Sequence, residues 1–427
     1  MIYLKLAEFY NEAGSTTKRL EKTRILSEFL KKLSEKDSDV LYLMMGDIYP
    51  EYDERRIGIS NQLAIKAISK STGIDETKVI HEWKELGDLG KVAEKLTEKR
   101  KQATLHTHIL TTEKVLENLR KLPELEGKGT VNKKLALITE LLTSASPLEA
   151  LYLTRTLLAD LRIGIKESTV RDSMAEAFFE SKKEAKKRVQ DAIDKTNDLA
   201  SVFEIVKTGK MNELSKLSLQ IGKPIKVMLA QKADNIKDAF EKVGKPCAIE
   251  YKYDGFRLLI HKDRNSVILF TRRLENVTKQ FPEVVNYLKE YVKGGSFILD
   301  SEAVGFNKKT KEYRPFQDIS QRIRRKYDIE KLQDELPVEI NVFDVLYYNG
   351  KSMLNEPFEN RTALLKKIIK NHPYKIISAK QIITDDEKKA EKFYRQALRN
   401  RQEGVMFKNL KTFYQPGVVM YGLRSDG

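Results

Sequence analysis

The chain has 427 residues, which is too long for one ordinary hydrophobic core and predicts two or three domains. Lys and Arg number 78 against 62 Asp and Glu, and the net charge of +16 favours a polyanionic partner, most simply a nucleic acid. Abundant charge of both signs is also typical of the surface of a heat-adapted protein, and the two interpretations are compatible. A single cysteine, Cys247, excludes an intramolecular disulfide framework and a multi-cysteine zinc site.

The chain also lacks the sequence signals of membrane insertion and secretion. No apolar run is long enough to span a membrane, and the N-terminus has no basic-then-apolar signal pattern. The sequence therefore predicts a soluble cytoplasmic protein without a membrane partner, associated with the nucleoid if the cell has no nucleus.

The first half of the chain has the periodicity of helices. Apolar residues at three- and four-residue spacing predict a helix over 26–33. The lysine-rich stretch 182–195 predicts an amphipathic helix with a basic outer face. Such a face is usually just solvated, unless neighbouring helices present similar charge to DNA.

A helix start is clearest at Ser146. Pro147 follows at the first helical position and Glu149 is placed to complete a capping box. An apolar stripe then continues to Leu161, so we expect this helix to end at Gly164.

The helical pattern breaks at Ile221-Gly222-Lys223-Pro224, which predicts domains over 1–220 and 221–427. Beyond Pro246 the apolar period changes to two. Strands over 257–261 and 267–271 flank a polar turn and predict a hairpin. Further strands are predicted over 297–306, 339–348 and 403–408, with helices over 281–291 and 360–370. This order predicts an all-α N-terminal domain followed by an α+β domain with a largely antiparallel sheet.

The segment Glu250-Tyr251-Lys252-Tyr253-Asp254-Gly255-Phe256-Arg257 carries the strongest chemical signal. In an extended strand Lys252 and Asp254 point to the same face, and Gly255 permits close approach of another group. This arrangement suits a lysine that loses its proton and attacks a phosphorus atom. Taken alone, the segment is better interpreted as a surface strand that turns at Asp-Gly.

A second acidic pair lies on the predicted strand 297–304. The alternation places Asp300 and Glu302 on one face, and a carboxylate on an otherwise apolar strand needs a partner because burying it alone is costly. His106 and His108 could suggest a metal pair, but no acid or cysteine cluster accompanies them, so we reject that site.

These segments, in this order, resemble the nucleotidyltransferase (adenylation) domain shared by ATP-dependent DNA ligases, RNA ligases and mRNA capping enzymes. The whole chain, to about Gly417, is similar to ATP-dependent DNA ligases of the archaeal or eukaryotic replicative type. Pro315-Phe316-Gln317 and the basic run Arg322 to Lys326 agree with that family.

The resemblance implies a nucleotide site. Lys252 matches the lysine that the family adenylates from ATP, Glu250 matches a residue that fixes adenine, and Phe343 matches the aromatic ring that stacks on it. Arg257 and Arg272 match arginines near the ribose and the 5′-phosphate of the nick. Without the family, Phe343 would be interpreted as core and Arg272 as an exposed strand end.

The resemblance also implies a metal site and a DNA-binding loop. Glu302 and Glu403 match carboxylates that help to hold Mg²⁺, which commonly uses one or two carboxylates with phosphates and waters. Arg162 and Gly164 match a loop that grips DNA phosphate, although a plain helix C-cap explains Gly164 equally well. The implied partners are nicked double-stranded DNA and, as a candidate, a sliding clamp.

The function implied is the sealing of nicks in replication, repair and recombination, with a link to cell division. RNA ligases and capping enzymes are disfavoured by the long basic helical half, and an NAD-dependent ligase by the absence of a cysteine quartet. A non-catalytic DNA-binding remnant of a ligase stays open as an alternative.

The C-terminus departs from the family pattern. After Tyr414-Gln415-Pro416-Gly417 the family continues with two closely spaced lysines and an oligonucleotide-binding (OB) barrel, whereas no lysine follows Lys411 here. We therefore expect the adenylation domain to be truncated, the OB-fold domain to be absent and the sealing activity of the chain as given to be impaired.

Overall fold

The fold was analysed in a computed structural model. It describes residues 1–51, 53, 55–100, 109–125, 129–217, 219–415 and 419–424. His106 and His108, Pro416 and Gly417 lie outside the described residues, so the expectations that rest on them stay predictions.

The chain divides into two compact units. Unit 1 comprises Met1–Ile193 and Asp198–Leu217, and unit 2 comprises Asp194–Asn197 and the described residues of 219–424. The helices described in unit 1 are α1 (Tyr3–Gly14), α2 (Arg19–Lys32), α3 (Val40–Met44), α4 (Asn61–Thr72), α5 (Glu76–Leu86), α6 (Leu89–Glu98), α7 (Thr112–Lys121), α8 (Thr130–Ser144), α9 (Pro147–Leu157), α10 (Glu167–Phe178), α11 (Lys182–Thr196), α12 (Leu199–Lys207) and α13 (Met211–Leu214), with a short 3-10 helix at Glu35–Asp37. The last turn of α11, from Asp194, is assigned to unit 2.

Unit 1 has one continuous apolar core, formed where the apolar stripes of its helices meet. Leu6, Leu26, Val92, Leu153 and Phe203 are fully buried in it. The predicted helix over 182–195 is confirmed as part of α11. The predicted helix over 26–33 is confirmed by α2 except at Leu33, which is the extended residue after the end of the helix. Among the described residues, no helix combines the length and apolarity that crossing a membrane requires.

Helix α9 begins as predicted but ends earlier. The Ser146–Glu149 capping box is present, and Pro147 is the first helical residue. The predicted end at Gly164 is wrong, because α9 stops at Leu157. Ala159 takes a φ of 54°, and the amides of Ala159 and Asp160 bond back to the carbonyls of Thr156 and Arg155 at 3.1 and 2.9 Å. This is a Schellman cap with alanine where glycine is usual.

Unit 2 is an α+β unit. Its described strands are β1 (Leu229–Lys232), β2 (Cys247–Lys252), β3 (Phe256–Asp263), β4 (Ser266–Thr271), β5 (Ser296–Gly305), β6 (Val338–Tyr348), β7 (Lys351–Ser352), β8 (Ile376–Ser378), β9 (Gln381–Thr384), β10 (Gly404–Lys408) and β11 (Val419–Arg424). Its described helices are α14 (Ile236–Val243), α15 (Pro282–Tyr291), α16 (Phe316–Arg324), α17 (Ile329–Glu335), α18 (Phe358–Ile368) and α19 (Glu387–Arg399), with a 3-10 turn at Thr278–Gln280.

The strands of unit 2 form two sheets in the described part of the chain. The first has the order β1-β11-β10-β2-β9, and the second has the order β4-β3-β5-β6-β7 with β8 beside β6. Two pairs are parallel, β1 with β11 and β6 with β8, and the other neighbours are antiparallel. The predicted hairpin is confirmed as β3 and β4.

Each sheet packs its own apolar layer. Helices α14 and α19 cover the first sheet around Phe240, Ile249 and Phe407. Cys247 is buried at the start of β2. The second sheet packs against α15 and α16, and Leu258, Phe297 and Val342 are among the residues buried there.

The two sheets approach each other where β2 leads into β3. A Cβ on Gly255 would stand 2.2 Å from the carbonyl oxygen of Ala303 on β5, so only glycine fits at this crossing. The expected shared strand of Lys252 and Asp254 is wrong, because β2 ends at Lys252 and the chain bends at Asp254 before it enters β3.

Candidate active site at the junction of the two sheets

Lys252 is the last residue of β2 and lies beside β10. Lys252 stands opposite Gly404 in the antiparallel pair of β2 and β10, and its carbonyl accepts a hydrogen bond from the amide of Glu403 at 2.9 Å. The Lys252 side chain is 14% exposed and forms an ion pair with the Glu403 carboxylate. The antiparallel register of β2 and β10 therefore joins two residues that are 151 positions apart in sequence.

The bend after Lys252 is held by side-chain contacts. The Asp254 amide donates to Oε1 of Gln402 at 3.0 Å, and the Asp254 carboxylate accepts the amide of Phe316 at 3.3 Å. Together with the close approach of Gly255 to Ala303, these bonds fix the course of the backbone directly after Lys252.

Arg257 and Asp300 form a buried ion pair. The sequence indicated that Asp300 needs a partner but did not identify Arg257. Nε and Nη2 of Arg257 donate to the two oxygens of Asp300 at 2.7 and 2.5 Å. Tyr414 donates its hydroxyl to the same carboxylate at 3.0 Å, and Arg257 also donates to the carbonyl of Met228 at 3.1 Å. Two-point pairing of this kind orients a guanidinium firmly. Sequence reasoning missed Tyr414, which carries no local signal beyond its neighbours in the chain.

Glu302 lies directly opposite Arg257 in the register of β3 and β5. Burial raises the pKa of its carboxyl to about 7, although the charges of Arg257 and Lys252 work in the other direction. A carboxyl with this pKa exchanges its proton near neutral pH, which is typical of functional sites.

Glu250 and Lys408 form a second buried pair beside Phe343. Lys408 Nζ is 2.5 Å from Oε2 of Glu250, and Gln381 donates to Oε1 of Glu250 at 2.8 Å. The Phe343 ring is half-buried, with the Lys408 ammonium 4.7 Å and the Arg257 guanidinium 4.9 Å from its centre. Lys408 was missed as a site residue, although a lysine that ends the apolar run 405–407 was a usable signal.

Two other groups of expected site residues lie apart from this cluster. Arg272 follows β4 with an exposed side chain, and within the described residues no bond or ion pair joins it to Lys252. In unit 1, Arg162 has a φ of 56° and donates to Asp160 at 2.7 Å. Gly164 has a φ of 64°, which favours glycine, and Lys22 donates to the carbonyl of Ile163 next to it.

A metal site of three or more His, Cys, Asp or Glu is not found in the described ranges. Glu302 and Glu403 nevertheless offer hard oxygen donors on either side of Lys252, and Mg²⁺ needs few protein ligands when phosphate and water supply the rest. The donor chemistry therefore fits a magnesium ion brought in with a polyphosphate.

The fold and the site together define a class of protein. A half-buried lysine between carboxylates, an oriented arginine and a partly accessible aromatic ring meet at the junction of two largely antiparallel sheets. This set suits covalent transfer of a nucleotide through lysine.

Comparison with known proteins identifies the family. Residues 2–175 match the family described as DNA ligase N terminus, and residues 227–423 match the ATP dependent DNA ligase domain. The chain belongs to the ATP-dependent DNA ligases. The second match continues past Gly417, so the resemblance reaches further than the sequence analysis expected.

Individual relatives agree with this assignment. The chain is 42% identical over 417 residues to a DNA ligase of Nanoarchaeum equitans, covering 98% of this chain and 73% of the relative. It is 39% identical over 420 residues to a DNA ligase of Methanopyrus kandleri, covering 98% and 74%. The solved structure called Pmar-Lig_PreS3 matches with a TM-score of 0.54 and 16% identity over 99% of this chain and 78% of that one, which is a likeness of fold.

Proposed function

We propose that this ATP-dependent DNA ligase carries AMP on Lys252 and seals nicks in duplex DNA in three phosphoryl transfers. In the first, Nζ of Lys252 attacks the α-phosphorus of ATP, and the bond to the leaving pyrophosphate breaks. In the second, AMP moves from Nζ to the 5′-phosphate of the nick. In the third, the 3′-hydroxyl attacks that phosphate and AMP leaves.

The position of Lys252 is the observation that carries the proposal. Lys252 is half-buried and bonded to Glu403, and the charges of Lys252 and Arg257 both act on Glu302. The ammonium form of Lys252 that pairs with Glu403 has no lone pair and cannot attack phosphorus. Attack therefore requires the pair to separate and the proton to leave, and the Glu403 carboxylate is placed to accept it.

The groups around Lys252 fit the parts of ATP. Phe343 offers a ring face to adenine, and Glu250 is held at the same place by Lys408 and Gln381. Arg257, oriented by Asp300, is placed for the ribose or phosphate.

The carboxylates of Glu302 and Glu403 are proposed to hold Mg²⁺. When bound, Mg²⁺ would neutralise charge on the transferring phosphate. Glu403 cannot at once neutralise Lys252 and offer all of its charge to a cation, so occupation of the metal site would weaken the Lys252 ion pair.

The domains are proposed to divide as the sequence predicts, with DNA binding in 1–220 and adenylation from 221 onwards. Arg162 and Gly164 are the proposed phosphate contacts of the first domain. Arg272 is proposed to contact the 5′-phosphate of the nick, because its exposed position suits the DNA rather than the nucleotide.

Labelling with ATP tests the proposal. Incubation with Mg²⁺ and ATP carrying a labelled α-phosphate should leave label on the protein, and Lys252→Arg should remove it, because arginine stays protonated. Lys245→Arg is the matched control, since Lys245 lies in the same unit, is 40% exposed and pairs with Glu387.

Three results would contradict this assignment. Lys252→Arg could retain an acid-labile AMP adduct, Lys245→Arg could lose it, or label could come from GTP or NAD and not from ATP. The first two would move the acceptor to another residue, and the third would change the reaction.

A further inference from the structure

A short exposed segment of unit 2 carries charge that the proposed active site does not use. Arg324 ends α16, and Arg325, Lys326 and Tyr327 follow it in the connection to α17. All four residues are exposed, with Tyr327 at 80%. Within the described residues, no ion pair involves the side chains of Arg324, Arg325 or Lys326. By contrast, nearby Lys308 pairs with Asp334 at 2.9 Å.

The segment stands on a rigid base. Arg322, two residues before Arg324, points inward and is 1% exposed. Its guanidinium bonds to Glu283 at 2.5 Å and to the carbonyls of Leu336 and Gln280 at 3.1 and 2.8 Å. Gln280 in turn donates to the carbonyl of Ile323 at 3.1 Å. The basic run is therefore divided into one buried anchor and three outward cations.

Complementation of the helix dipole does not explain the whole segment. Arg324 lies in the last turn of α16, where a cation is favourable. Arg325 and Lys326 follow the helix, and the exposed ring of Tyr327 gains nothing from its dipole. In the described part of the chain these three clustered cations have no carboxylate partner, and an exposed aromatic hydroxyl lies next to them. This is the composition of a surface that contacts phosphates.

We propose that Arg324, Arg325, Lys326 and Tyr327 form a DNA-contacting surface on the adenylation unit, binding backbone phosphates of the nicked duplex. The inference rests on the proposed function, since it assumes that the duplex is brought to Lys252. Because the contacts are to phosphate, they add affinity without adding sequence preference.

The test replaces the three cations and leaves the anchor in place. The full chain with Arg324→Gln, Arg325→Gln and Lys326→Gln is compared with a control that has the same change of charge, Lys388→Gln, Lys389→Gln and Lys392→Gln, at exposed positions of α19. Binding to a singly nicked duplex is measured by fluorescence anisotropy at several salt concentrations, and label on Lys252 is measured without DNA.

We expect the first variant to bind the nicked duplex about tenfold more weakly than the control at low salt. The slope of log K against log salt should fall by about 2 to 3, because each phosphate contact contributes about 0.9 to it. Labelling of Lys252 should match that of the control.

The results separate the two proposals. DNA affinity and salt slope equal to those of the control would overturn this surface and would leave a protein partner as the occupant of the segment. Absence of label in the unsubstituted chain would instead overturn the role of Lys252, and the DNA titration would still decide the surface.

Discussion

Glu302 shows how a single residue at this site makes stability depend on pH. Burial raises the pKa of its carboxyl from 4.5 to about 7, so the folded protein binds a proton there more tightly than the unfolded chain. Glu302 therefore adds stability below the unfolded pKa, and that contribution is lost as pH rises through about 7. Above pH 7 the folded protein carries a carboxylate in a site that disfavours it, until a cation binds.

Glu302→Gln should remove this dependence. Without Mg²⁺ the variant should gain about 1 to 3 kcal/mol of unfolding free energy relative to the parent between pH 5 and pH 8. Urea unfolding of both proteins at the two pH values gives this difference. The hypothesis fails if the two stabilities change in parallel with pH.

At the same scale, the sequence predicted which residue types the site uses better than it predicted their partners. The apolar strand around Asp300 indicated that this carboxylate needs a partner, but Arg257 and Tyr414 lie 43 residues before it and 114 after it. In the sequence analysis Lys408 was included only as the last residue of the predicted strand 403–408. Its pairing with Glu250 depends on the register of β10 against β2, which no local pattern encodes.

Among the elements, those with local signals were predicted and those without them were not. The hairpin β3–β4 and the start of α9 follow from alternation and from a capping box. The end of α9 was misplaced because a Schellman cap tolerated Ala159 where glycine is expected. Strands β1 and β11 were not predicted, because their parallel pairing joins distant parts of the chain.

The close approach of Gly255 to Ala303 on β5 gives a prediction about a contact between elements. Gly255→Ala would place a methyl group 2.2 Å from the backbone oxygen of Ala303, and backbone at the centre of a sheet cannot move away cheaply. We expect a loss of about 1 to 3 kcal/mol in unfolding free energy. Gly295→Ala is the control, because its Cβ would meet its nearest neighbour at 3.9 Å. Chemical denaturation gives the unfolding free energy of both variants. Equal values would show that the backbone around Gly255 moves to make room for the methyl group.

For the molecule as a whole, the two units suggest a division of work. Lys252, Glu302, Phe343 and Glu403 all belong to unit 2, whose buried clusters are built from its own residues. Arg162 belongs to unit 1 and its separate core. If DNA phosphates are gripped by unit 1 and AMP is loaded in unit 2, a charge change in unit 1 should affect the steps that use DNA and spare the step that does not.

Arg162→Gln tests this division. Arg162 is 46% exposed and pairs with Asp160 and, at 3.5 Å, with the buried Asp88. Asp88 keeps its pair with Arg155 at 2.6 Å if Arg162 is replaced. A surface pair such as that with Asp160 contributes about 0 to 1 kcal/mol, so a DNA phosphate can replace this carboxylate at little cost. We expect the variant to bind nicked duplex a few-fold more weakly, with the salt slope lowered by about 0.9, and to accept AMP from ATP at the parental rate. Arg55→Gln is the control, since Arg55 lies in the same unit, is 43% exposed and pairs with Asp53. Slower AMP loading in Arg162→Gln than in Arg55→Gln would show that DNA binding and AMP loading are not divided between the units. An unchanged salt slope would show that Arg162 does not contact DNA phosphate.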